Sequence, residues 1–125
     1  MNSQAVLVLG NHAHSHLVEV LSGLGFDSQV WGSMQHSLDK LRHNKFAAIL
    51  VDLEFTRADV LEFILNVRDL DREVPVVVIG KVKDGRIDNM IARQANTKVL
   101  TDFENRDRFV EKLAQVLNGS ENKGE

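Results

Sequence analysis

Residues 46–55, Phe46-Ala47-Ala48-Ile49-Leu50-Val51-Asp52-Leu53-Glu54-Phe55, form a near-continuous apolar run that ends in an acid, Asp52. Such a run, with polar residues before it and Thr56-Arg57 after it, reads as a central strand buried on both faces. Asp52 then stands where this strand leaves the sheet. In open parallel sheets ligands and chemistry collect at the carboxyl ends of the strands, which makes Asp52 the first candidate site residue.

Upstream, Ala5-Val6-Leu7-Val8-Leu9 is another apolar run, ended by the turn signal Gly10-Asn11. After His12, His14 and His16 come Leu17, Val18, Val20, Leu21 and Leu24 at helical spacing, stopped by Gly25. Phe26 to Trp31 alternates around Val30 as a short strand closed by Gly32, and Ser33 is the expected N-cap of a helix through Met34, Leu38 and Leu41 to about His43. Downstream of the central run, Thr56 or Asp59 is expected to cap a helix whose buried stripe is Val60, Leu61, Ile64, Leu65 and Val67. Pro75, the only proline, precedes Val76-Val77-Val78-Ile79 at a place where a missing N–H is tolerated, and Gly80 closes that strand. Ile87 to Ala95 carries Ile87, Met90 and Ile91 as a weak helix, and Lys98-Val99-Leu100 is a short strand. The last helix spans about Glu104 to Leu117, with Phe109, Leu113, Val116 and Leu117 on one stripe and Asn118-Gly119 as its stop. Five strands alternating with five helices predict an α/β fold, a parallel sheet covered on both faces through right-handed crossovers.

A chain of 125 residues fits one domain, expected at 1–118, with 119–125 a polar tail or the start of a linker. The absence of cysteine excludes disulfides and thiolate metal sites and suits a reducing compartment. A net charge of -3 with signs mixed throughout offers no nucleic-acid footprint and no polybasic membrane patch. The run Ala5–Leu9 is too short for a signal peptide and no run approaches a membrane span, so a cytoplasmic location is expected.

The order and spacing of VLVLGN, GLGF, AAILVDLEF, VPVVVIG and KVLTDF resemble the receiver domain of two-component response regulators over Ala5 to Leu117. The resemblance implies a flavodoxin-like, CheY-like doubly wound sheet of five parallel strands in the order 2-1-3-4-5 with five helices. It also implies that Asp52 matches the aspartate that accepts a phosphoryl group in that family. The transfer requires negative charge on both reactants to be offset, which receivers achieve with magnesium and a lysine. The metal-holding acidic pair of the family is matched here by Gly10 and Asn11, the phosphoryl-contacting Thr/Ser by Gly80, the lysine by Thr101 or Asp102, and the aromatic switch residue by Val99. These departures point to an atypical receiver, or pseudo-receiver, that is not an enzyme, needs no cofactor or metal, and regulates without phosphorylation. Its partner is then a second copy of itself or an attached output domain such as a transcriptional activator. The family's dimer face is matched by Ile87, Met90, Val99, Phe103, Arg106 and Arg108. The alternative is a slow phosphoacceptor that uses Asp52, with Glu54 lending a second oxygen ligand.

Other constellations carry less. His12 and His16 lie one turn apart if a helix starts early, but a solvated loop at the mouth of the sheet accounts for the three histidines more simply. A partial likeness to cobalamin-binding domains, through His14, Gly25-Phe26 and Val30-Trp31-Gly32, fails at Leu17, where that family needs glycine. Ser15 has no Gly-x-Ser-x-Gly elbow, and Gly23-Leu24-Gly25 follows a helix where a dinucleotide loop must follow a strand. Trp31, the only tryptophan, is either a surface contact or a lid over the second helix.

Overall fold

A strand that is apolar on both faces needs a hydrogen-bonded neighbour on each side and a helical layer above and below. The computed structural model describes residues 5–10, 15–52, 57–80, 85–100 and 106–122, and supplies both. Strands β1 (Ala5–Leu9), β2 (Asp27–Trp31), β3 (Ala48–Asp52), β4 (Val76–Ile79) and β5 (Thr97–Leu100) alternate with helices α1 (Ser15–Gly23), α2 (Met34–His43), α3 (Arg57–Leu70), α4 (Gly85–Ala92) and α5 (Arg106–Asn122). All pairings are parallel and the sheet order is β2-β1-β3-β4-β5, the doubly wound flavodoxin-like order that the resemblance implies.

Side chains of a strand alternate between faces, and β3 divides its residues accordingly. Ile49 and Val51 join Leu7, Leu9, Val76 and Val78 in a core shared with Leu38 and Leu41 of α2, Phe63, Ile64 and Val67 of α3, and Ile91 of α4. Ala48 and Leu50 turn the other way, with Val6, Val8, Val77 and Ile79, against Leu17 and Leu21 of α1 and Phe109, Leu113 and Leu117 of α5. Ala48 to Val51 are each 0% exposed. Edge strand β2 has a neighbour only in β1 and reads exposed or half-buried throughout, which is why its sequence alternates while the inner strands are continuously apolar.

Local signals placed most elements well. Ser33, extended at φ -130° and ψ 131°, accepts a hydrogen bond from the His36 N–H and caps α2. Gly25 has φ +91° one turn past α1, the left-handed geometry glycine allows at a helix end. Five expectations need correction. The central strand is shorter than its apolar run: Ala47 donates to the Ala5 carbonyl but β3 starts at Ala48, and 53–56, with Thr56, lie outside the described residues. Asp59 is inside α3, so it is not the cap. Leu65 is 49% exposed while Phe63, absent from the expected stripe, is 1% exposed, because the face from Val60 continues at i+3, i+4 and i+7 through Phe63, Ile64 and Val67. Helix α4 ends at Ala92 rather than Ala95, and α5 runs through Asn118-Gly119 to Asn122, since a glycine weakens a helix without removing its backbone hydrogen bonds.

The amino edge of the sheet is tied together by Arg68, near the end of α3. Its Nη1 donates to the carbonyls of Asp71 (3.1 Å) and Val74 (2.8 Å), and its Nη2 to those of Ala95 (2.8 Å) and Asn96 (3.2 Å). One guanidinium thereby joins the α3–β4 and α4–β5 connections. Burial pulls its pKa below the ordinary value, an effect the Asp71 carboxylate partly offsets. Asn96 completes the junction: at φ 55°, a left-handed conformation that asparagine tolerates, its carbonyl also accepts from the Val76 N–H. Arg68→Met keeps much of the apolar stem and removes one donor from four carbonyls, of which those of Ala95 and Asn96 keep a second in Thr97 Oγ1 and the Val76 N–H, so it is expected to destabilise the fold by about 1–3 kcal/mol in urea unfolding. A loss below about 0.5 kcal/mol would mean that water replaces the guanidinium at little cost.

Candidate functional site

In a parallel sheet all strands leave at one edge, so residues far apart in sequence become neighbours there. The register sets Leu9 beside Trp31 and Val51, and Asp52 beside Ile79, which in turn faces Leu100. Asp52 ends β3 half-buried. The residue after β1 is Gly10, buried, with its N–H on the Trp31 carbonyl at 3.0 Å; the residue after β4 is Gly80, with its N–H on the Leu100 carbonyl at 3.1 Å. On both sides, therefore, the strand ends next to Asp52 offer backbone only. Among the described residues that end the five strands or directly follow them, Asp52 is the only ionisable one.

This geometry limits the chemistry. A carboxylate that attacks phosphorus approaches an anion, and catalysis of that step rests on positive charge placed around it. Gly10 can lend a carbonyl oxygen to a hard cation, but no charge. Gly80 is constrained as well as bare: its φ of 152° lies in the range that side chains rarely adopt. The end of β4 is thus built in a shape that suits glycine, and a hydroxyl-bearing residue there would be strained.

Asn11, Thr101 and Asp102 of the expected site lie outside the described residues, as do His12, His14, Glu54 and Phe103. His16 is in α1, Ile87 in α4 and Arg106 in α5, each placed by its backbone only. Of the expected dimer face, Met90 is 44% exposed on α4, Arg108 is exposed near the start of α5, and Val99 is half-buried against the core under α2, α3 and α4. Among the described residues no group of three or more histidine or acidic side chains is placed to hold a metal ion, and no helix is long and apolar enough to cross a membrane.

Trp31 is positioned by α2: Lys40 Nζ lies 5.3 Å from the indole centroid and the His36 ring 5.7 Å away, tilted by 53°. The ring packs against the core and closes the outer corner of the sheet under the helix, which decides between the two placements the sequence left open. The Arg68 junction and the backbone of Gly80 were not visible in the sequence. A lone arginine in a helix has no local mark that carbonyls 27 and 28 residues away will converge on it.

No family model matches the chain, and no curated protein matches it in sequence. Solved structures do match in shape. A CheY-like response regulator receiver domain protein from Methanospirillum hungatei superposes with a TM-score of 0.82 at 12% identity, covering 98% of this chain and 99% of that one. The beryllofluoride-activated NtrC4 receiver domain dimer matches with a TM-score of 0.77 at 18% identity, over 94% and 98%. NtrX from Brucella abortus, in complex with ADP, matches with a TM-score of 0.76 at 20% identity, over 98% of this chain but 28% of that chain. The chain therefore has the fold of response regulator receiver domains.

The strain that a side chain meets at position 80 is measurable. Gly80→Thr, the change toward a receiver-like residue, is expected to cost about 1–3 kcal/mol in denaturant unfolding because the new side chain must occupy an unfavourable φ. Unchanged stability would show that the β4 end relaxes freely.

Proposed function

We propose that the chain is a signalling regulatory domain, an atypical receiver whose output does not depend on phosphorylation of Asp52. The observation that carries this reading is the pairing of a receiver fold with an Asp52 whose neighbouring strand ends, Gly10 and Gly80, supply neither metal ligands of opposite charge nor a hydroxyl. Neither glycine supplies charge to offset a phosphoryl group on Asp52, while the sheet and its helical layers form regardless. Regulation then comes from a partner or ligand that binds one of two states better and shifts their populations. The face of α4, β5 and α5, with Met90 and Arg108, is the proposed contact, made with a second copy or with an attached output domain. A dimer and a longer chain among the similar structures support this arrangement. We assign the domain no enzymatic step and place it in the cytoplasm.

A second reading keeps Asp52 as a slow phosphoacceptor, favoured by its position at the half-buried end of β3. Titration with magnesium and beryllofluoride, followed by amide NMR, separates the two. The phosphorylation-independent reading expects no saturable shift at Gly10, Asp52 or Gly80; a saturable response there would restore phosphotransfer. Dimerisation through α4 is tested by Met90→Asp, which should weaken self-association in sedimentation equilibrium by about tenfold or more, as expected when an apolar anchor is replaced by a charge. Equal self-association of variant and parent would move the contact elsewhere.

A further inference from the structure

At the opposite end from Asp52, where α2 and α3 end beside the amino edge of the sheet, a half-open pocket of about 240 Å³ lies between the two helices. Its floor is Leu41 and Leu70, and its rim is Arg42, His43 and Lys45 with Asn44 and Asp71. Leu41 is 6% exposed and belongs to the core, whereas Leu70 is 39% exposed although it lies between two acids, Asp69 and Asp71. Besides His43 the lining carries two basic side chains, Arg42 and Lys45, and one acid, Asp71, an excess of positive charge on a molecule of net charge -3.

Basic residues in a last helical turn ordinarily answer the negative end of the helix. Here that task is already filled. His43 Nδ1 donates to the Asp39 carbonyl at 3.0 Å and Asn44 Nδ2 to the Lys40 carbonyl at 3.0 Å, while Lys40 itself reaches over Trp31. Arg42 and Lys45 are left with weak local work. Arg42 meets Asp39 at 3.6 Å between side chains 48% and 63% exposed, a pair that contributes little. Lys45, 84% exposed, reaches Asp71 only at 3.9 Å, and Asp71 Oδ1 already accepts the N–H groups of Glu73 and Val74. The one acid in the pocket is thus held by backbone donors and only 14% exposed, whereas the Arg42 and Lys45 side chains are 48% and 84% exposed.

We propose that this pocket is a docking point for an acidic segment of a partner protein that inserts one apolar side chain between Leu41 and Leu70. The volume suits one or two side chains and falls below the roughly 300 Å³ at which pockets for whole small molecules begin. The chemistry follows interface practice: a central apolar anchor excludes water, and a charged rim steers the approach and rejects partners of like sign. The pocket is lined by the ends of α2 and α3 and the residues after them, and by none of α4, β5 or α5, so one domain can hold a copy of itself and a second, acidic partner.

The test uses a capped peptide, Asp-Glu-Leu-Glu-Asp, added to the isotope-labelled protein, with amide shifts followed at residues 41–45, 70 and 71. Saturable shifts confined to those residues are expected, with affinity lower when the leucine is replaced by serine and binding absent for Lys-Lys-Leu-Lys-Lys. Arg42→Glu with Lys45→Glu, both at exposed side chains, should weaken binding by about tenfold or more while amides away from the pocket stay in place. The proposal is overturned if no pocket resonance moves up to about 10 mM peptide. Equal binding of the leucine and serine peptides, or of parent and double variant, also overturns it, since the first would show a merely charged patch and the second a site elsewhere.

Discussion

Two-sided burial of β3 is the constraint on which the rest depends. Ala48 to Val51 have no exposed surface, so each face of the strand must be covered and each edge paired. Parallel pairing satisfies the backbone, and parallel strands require crossovers, which put α1 and α5 on one face and α2, α3 and α4 on the other. Once β1 and β4 flank β3, all carboxyl ends emerge together and Asp52 is brought between Gly10 and Gly80. The candidate site is a by-product of the packing, so the packing can persist when the site's chemistry changes.

This separation explains how a receiver fold appears at 12–20% identity with solved receivers, with no family model matching. Packing asks only for apolar volume at alternating positions, which many sequences supply. A phosphoryl site asks for specific charged atoms at specific places. Gly10 and Gly80 supply no charged atom, and the φ of Gly80 lies in a range that suits glycine.

The two edges of the sheet are built differently. At the carboxyl edge the described strand ends carry one ionisable side chain and much backbone. At the amino edge polar side chains are spent on backbone: Arg68 joins two connections, Asp71 caps the turn before β4, and Asn96 holds the α4–β5 turn. The basic side chains after α2 sit beside this hydrogen-bonded edge.

The sequence by itself determined the elements and their order, because strand burial and helix amphipathicity are periodic signals carried by neighbours in the chain. Apolar runs, the Ser33 cap, Gly25 and Pro75 were enough for five βα units, and Asp52 was legible as the acid at a strand end. Misjudgements fell on the phase of one helix and the end of another. Leu65 is apolar but off the stripe that Phe63 completes, and Asn118-Gly119 reads as a stop although α5 continues through it. Only the tertiary structure decided that Arg68 would meet carbonyls from two connections, that Trp31 lies under Lys40, that Gly80 holds its φ, and that Leu41 and Leu70 line one pocket. The Arg68 junction and the pocket bring together segments that are distant in the chain, and periodicity along the chain contains no record of such distances.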